Sequence, residues 1–183
     1  MNHDFELIGG EEQREIKIVP YDKNWPLRYK TEKKKIEKAI ASQEHHIEHV
    51  GSTSIEGLPA KPIIDIQVSI QDPNDESSFV PALEEQGYIL RVREEGHRMM
   101  RTSKLDVHIH ICQIGSDWER RHLLFRDWLR HNETDRKAYG DLKEKLSKQS
   151  WETMNHYADA KGDLIQEITK RAEAWAAASD WRV

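Results

Sequence analysis

A carboxylate set inside an apolar strand needs a physical reason. Residues 63–70 form a β-branched run, and alternation puts Asp65 and Gln67 on one face of it. Such a charge is costly to bury unless it is paired. Asp65 therefore either meets an arginine, with Arg98 and Arg101 as candidates, or lies at an opening and holds a metal. Asp106-Val107-His108-Ile109-His110 is a second array of this kind, because alternation places Asp106, His108 and His110 on a shared face. Two imidazoles and a carboxylate suit zinc, manganese or iron better than magnesium, which prefers oxygen ligands. Just before the Asp65 strand, Gly51 permits a sharp turn or close approach to a ligand, and Ser52, Thr53 and Ser54 crowd that turn with hydroxyls. Two readings stay open for them: caps of a following helix, or a cradle for phosphate. Lys61 is likewise either a solvated loop residue or a partner for an anionic group.

Three phrases, HVGSTSIEGLPAKPIIDIQV, VHIHIC and HLLFRDWLR, occur in an order that resembles the GrpB family, within the DNA polymerase beta-like nucleotidyltransferase superfamily. The likeness runs over residues 16–175. It implies a nucleotidyltransferase-like mixed sheet flanked by helices, with a C-terminal helical part. It also implies that the Asp65 strand lies beside the histidine strand, so that Asp65, His108, His110 and Asp106 converge on one divalent cation, zinc, manganese or magnesium. Asp65 would then be the catalytic residue. Gly51, Ser52, Thr53, Ser54, Lys61 and Arg126 would contact a nucleotide or another phosphate-bearing small molecule. Arg126 also has a plain alternative, a helix-face ion network with Asp127 and Arg130. The superfamily carries D-x-D or D-x-E on this strand, whereas this chain has Asp65-Ile66-Gln67. Two functions follow from the resemblance: transfer of a nucleoside monophosphate to an acceptor, or a catalytically reduced module that binds a nucleotide or phosphate ligand. GrpB relatives joined to a dephospho-coenzyme A kinase point to a nucleotide-related setting. A histidine-triad hydrolase needs H-x-H-x-H, and here the flanking alternate positions hold Asp106 and Cys112.

The rest of the chain must position these groups. Its 183 residues suit one domain over 15–183, preceded by a loose polar arm over 1–14. The net charge of −5 argues against general nucleic-acid binding. Cys112 is the sole cysteine, which excludes an intramolecular disulfide and fits a reducing cytoplasm; no apolar run approaches membrane-spanning length. The pattern predicts an edge strand over 16–19 and a helix over 24–41 capped by Asn24. On that helix Tyr29, Ile36 and Ile40 should face inward while 32–35 stay in water. Ser77 should cap a helix ending at Gly87, and 88–93 with 97–102 read as a hairpin leading to a strand over 105–112. Helices then begin at Ser116 and Thr134, and one last helix carries Tyr157, Lys161, Leu164, Ile168, Ala172 and Trp175. His45, His46 and His49 read as surface or cap residues. Helices beside a mixed sheet make an α+β domain.

Overall fold

The computed structural model describes residues 5–12 and 14–183. Its strands, in chain order, are β1 (Glu6–Leu7), β2 (His45–Val50), β3 (Ile64–Ile70), β4 (Tyr88–Glu94), β5 (His97–Thr102) and β6 (Val107–Gln113). They make one six-stranded sheet in the order β1-β4-β5-β6-β3-β2, antiparallel throughout except where β3 meets β6. The helices are α1 (Trp25–Ile40), α2 (Val80–Glu85), α3 (Asp117–His131), α4 (Glu133–Ser147), α5 (Met154–Asp159) and α6 (Gly162–Ser179). The chain is thus a mixed α+β protein.

Alternation along β3 sorts its side chains. Ile64, Ile66, Val68 and Ile70 join Ile36 and Ile40 of α1 and Leu83 of α2 in the larger apolar core. The opposite face carries Asp65, Gln67 and Ser69. Its far half is roofed by α3, where the Gln67 side chain reaches the Glu119 carbonyl. A second core joins Ile55 and Leu58, from the loop before β3, to Leu124, Trp128 and Leu129 of α3 and to Ile168 and Ala172 of α6. The helical part is therefore tied to the sheet through the same loop that carries Gly51. Ser116 caps α3 by accepting from the Glu119 backbone N–H, while the Glu119 carboxylate accepts from Gly115.

Several expectations change. The polar composition predicts a loose arm over 1–14, but Glu6 and Leu7 pair with β4, and Glu12 binds Arg101 at 2.6 Å; residues 1–4 and 13 lie outside the described residues. No strand forms over 16–19, where Val19 makes a single bridge to Ala60. Asn24 makes no side-chain cap, its own backbone N–H donates to Asp22, and Asn132 rather than Thr134 caps α4. Ser77 sits in a 3₁₀ turn over Glu76–Ser78, ahead of the short α2. The last helix breaks at Ala160 and Lys161, so Tyr157 lies on α5 and Lys161 precedes α6.

Glu32 departs most from its local pattern. Embedded in a lysine-rich run, it is nevertheless 1 % exposed. Its carboxylate accepts from the Tyr88 hydroxyl, from Arg28 at 3.0 Å and from Lys35 at 3.1 Å. Burial alone would raise its pKa, but these donors outweigh burial and hold it below the ordinary value. A depressed folded pKa gives stability that is complete above the unfolded value, about 4.3, and is lost as pH falls through the folded value. Glu32→Gln should be about 1–3 kcal/mol less stable than wild type at pH 7 by urea unfolding. That gap should begin to narrow as pH falls below the unfolded value and close only once pH has fallen through the lower folded value, where the wild-type carboxylate is protonated as well.

Candidate cation site

The parallel pairing of β3 with β6 sets Asp65 opposite His108 and Gln67 opposite His110. On the face away from the larger core, the Asp65 carboxylate consequently lies between two imidazoles. Its Oδ1 accepts from His110 Nε2 at 3.3 Å and lies 3.6 Å from His108 Nδ1. One donor atom from each residue falls within 4.8 Å of the others, a spacing that one cation can bridge. Burial would raise the Asp65 pKa; the His110 hydrogen bond and the charges of His108, His110 and Lys61 more than offset this and keep it below the usual carboxylate range. Burial pushes His108 down to about 4, so its ring is neutral at pH 7. Its Nε2 is buried without a hydrogen-bond partner among the described residues. An ionised carboxylate beside a neutral imidazole with an unused nitrogen fits a cation that accepts both oxygen and nitrogen ligands.

His110 is held from behind. Its Nδ1 lies 3.2 Å from His97 Nε2, and His97 Nδ1 lies 3.3 Å from the Glu94 carboxylate. Trp118 stacks on both rings, with centroids 4.7 Å from His97 and 5.4 Å from His110. A partner on the second ring nitrogen fixes which nitrogen of His110 faces Asp65.

Gly51 closes the site at the end of β2. Its φ is 70°, a left-handed conformation that glycine adopts without strain, and an added Cβ would sit 2.7 Å from Asp65 Oδ2. No α-helix follows it. Ser52–Ser54 make one 3₁₀ turn, and two of the hydroxyls expected for phosphate are used internally. Thr53 is buried against His49 Nε2 and donates to the Ile63 carbonyl at 3.0 Å, and Ser54 donates to the Gly51 carbonyl. His49, expected at the surface, is buried and stacks on Tyr29. The Ser52 side chain lies beside the Tyr139 hydroxyl. Lys61 lines the cavity of about 660 Å³ into which His108 and His110 open.

Other expected members lie elsewhere. Asp106 precedes β6, after Leu105 takes a φ of 62°, and its carboxylate is occupied by Thr102 at 2.6 Å and Arg28 at 3.2 Å. It borders the same cavity but stands outside the three-residue cluster. Arg126 binds Glu48 at 2.6 Å and Asp127 at 2.8 Å and lines a different cavity, as does Gln67, which is 1 % exposed. Neither proposed arginine partner reaches Asp65, because Arg98 binds Glu76 and Arg101 binds Glu12. The site gains groups that local sequence did not mark: His97 behind His110, and Lys143 of α4, whose charge acts on Asp65 from across the fold. The hairpin register could have suggested His97, since it points to the same face as His110; nothing local marks Lys143.

A mixed sheet with a carboxylate and two imidazoles on its adjacent parallel strands, closed at one end by a glycine turn, defines the class of this protein. The chain belongs to the GrpB family: the family model described as GrpB protein matches residues 15–171. It is 44% identical over 162 residues to the UPF0157 protein BH1888 of Halalkalibacterium halodurans, covering 87% of this chain and 83% of that protein. The glutamate-rich protein GrpB of Alkalihalophilus pseudofirmus is 32% identical, with 87% of this chain and 97% of that one aligned. The chain is also 24% identical to a dephospho-CoA kinase of Mycolicibacterium paratuberculosis, over 91% of this chain and 48% of that protein. The crystal structure of conserved protein GrpB from Enterococcus faecalis superposes with a TM-score of 0.77 at 28% identity, covering 87% of this chain and 99% of that one.

The contact between Gly51 and Asp65 can be tested against an internal control. Gly51→Ala adds both a strained φ and a Cβ in the carboxylate, and should cost roughly 1–3 kcal/mol in urea unfolding and weaken zinc binding. Gly57 has a φ of 79° with nothing near an added Cβ. Gly57→Ala should show the backbone cost alone and leave zinc binding as in wild type.

Proposed function

We propose that the site binds a divalent cation at Asp65, His108 and His110 and uses it for nucleotidyl transfer to an acceptor hydroxyl. The observation that carries this reading is the Asp65 carboxylate, held ionised between two imidazoles that themselves line a cavity of about 660 Å³. When bound, the cation would neutralise charge on the phosphate oxygens of a nucleoside triphosphate. In the reaction the acceptor oxygen bonds the α-phosphorus, the bond from that phosphorus to the α–β bridging oxygen breaks, and pyrophosphate leaves with the electron pair. The acceptor proton passes to solvent. Because its pKa lies below the ordinary carboxylate value, Asp65 is suited to holding a cation rather than accepting that proton. Gly51 keeps the carboxylate in place, and His97 orients His110. The imidazole pair favours zinc or manganese over magnesium. The aligned dephospho-CoA kinase agrees with a nucleotide-related role.

A second reading follows from Gln67. Where the superfamily sets a second carboxylate, this chain has an amide buried under α3, away from the three-residue cluster. A site with one carboxylate holds a cation less firmly, and the protein would then bind its nucleotide or phosphate ligand without turnover.

Calorimetry with zinc and manganese tests the shared premise. Wild type should bind one cation, and Asp65→Asn or His108→Ala should weaken binding at least about a hundredfold. Pyrophosphate release from a panel of nucleoside triphosphates with phosphorylated and hydroxyl acceptors separates the two readings. Transfer predicts release that Asp65→Asn abolishes. Ligand binding with no release from any triphosphate supports the module, and release unchanged in Asp65→Asn removes the Asp65 mechanism.

A further inference from the structure

Three lysines from distant parts of the chain meet beside Asp65. Lys61 lies in the loop before β3, Lys143 on α4 and Lys161 at the junction of α5 and α6. Lys61 and Lys161 both stand over the Tyr157 ring, at 4.9 and 4.5 Å from its centroid, and Lys143 stands 4.8 Å over Tyr139. Lys143 is only 3 % exposed and donates to the Pro59 carbonyl at 2.5 Å. Gly140 allows this approach, since a Cβ there would already press on the Pro59 ring at 3.2 Å.

Two independent features are unresolved by the protein alone. The first is charge. Lysine ion pairs among the described residues are those of Lys33, Lys35 and Lys137, and none involves the three facing lysines. Burying cations together without a counter-ion is costly. Burial, and then their mutual repulsion, lowers Lys143 to about 7 and Lys161 to about 8. Asp65 acts on all three, but it is a single negative charge already shared with two imidazoles. The second is the Tyr157 hydroxyl. Tyr157 is 1 % exposed, lines the cavity, and its hydroxyl has no hydrogen-bond partner among the described residues.

The geometry points to a polyphosphate subsite made by Lys61, Lys161 and the Tyr157 hydroxyl on the cavity wall, with the charge of the buried Lys143 behind them, which takes a chain of two or more phosphates leading toward Asp65. This rests on reading the Asp65 cavity as a site for a phosphate-bearing ligand, and it adds the ligand class. Orthophosphate brings fewer negative charges than the lysines bring positive ones, while a chain of phosphates matches them. Lysine is a point-charge phosphate binder that needs no fixed orientation, so residues from three elements can share one chain.

The test uses metal-free protein with chelator present, so that it is independent of cation binding and turnover. Orthophosphate, pyrophosphate and tripolyphosphate are titrated by calorimetry. The two condensed phosphates should bind at least tenfold more tightly than orthophosphate. Lys143→Met and Lys161→Met should each weaken tripolyphosphate at least tenfold, whereas Asp65→Asn should not weaken it. Lys137→Met, which removes an exposed lysine paired with Asp141, should bind as wild type does. Thermal melting of each variant checks the fold. Removing an uncompensated buried cation should leave the melting temperature equal or higher, and Lys161→Met, at the half-exposed junction, provides the test should Lys143→Met fail to fold. ATP binding tighter than tripolyphosphate assigns the subsite to a nucleotide, and equal or weaker binding assigns it to the inorganic chain. Absence of pyrophosphate and tripolyphosphate binding, or equal binding by wild type and both lysine variants, overturns the subsite whatever the cation experiments give.

Discussion

The parallel pairing of β3 and β6 is the constraint on which the site depends. Antiparallel neighbours can be joined by a two-residue turn, but a parallel pair needs a long crossover, and here the chain spends α2 and the β4–β5 hairpin between the two strands. That detour has two results. It makes β3 an interior strand between β6 and β2, where one face is wholly apolar and its register cannot slip without exposing the isoleucines. It also sets a carboxylate strand directly against an imidazole strand, a pairing that Asp65 and His108 could not reach from adjacent positions in sequence.

Around that pair the molecule is built in two halves that meet at the cavity. The sheet, with α1 and α2, supplies a rigid back wall through the larger core. The helices from α3 onward have their own core and reach the sheet through Ile55 and Leu58 in the loop after Gly51. Each half contributes one kind of chemistry. Carboxylate and imidazoles come from the sheet, while Lys143, Lys161 and Tyr157 come from the helices. The Gly51 loop belongs to both, and so the spacing between the two sets of groups follows from how that loop packs.

Period-two alternation was enough to find β3 and β6, because both have one face buried without interruption and β-branched residues fill it. The family phrases supplied what alternation does not, the adjacency of the two strands. Where local rules failed, long-range contacts had overridden them. Strict alternation puts Asp106 with His108, but the strand begins only at Val107, after the positive φ of Leu105, and Arg28 of α1 takes the Asp106 carboxylate. Glu32 looks solvated within its charge run, yet Tyr88, fifty-six positions later, gives it a buried donor. Thr53 and Ser54 look available as hydroxyls until His49, Ile63 and Gly51 are seen to occupy them. Lys143 and Lys161 carry no local signal, since a lysine on a polar helix face reads the same whether it meets water or a cavity.

The N-terminal segment shows how misleading composition can be at a chain end. Glu12 binds Arg101 and Arg14, lies 3.6 Å from Arg91, and with Leu7, Glu11 and Glu15 lines the cavity beside His108 and His110. One carboxylate is shared by three arginines, Arg14, Arg91 and Arg101, and so offsets part of the positive charge on that side of the cavity. Shortening the protein through residue 12 would do more than trim a tail. It would remove Leu7, Glu11 and Glu12 from the cavity wall and leave Arg91 and Arg101 without the carboxylate they share, so the trimmed protein would present a wider and more basic pocket.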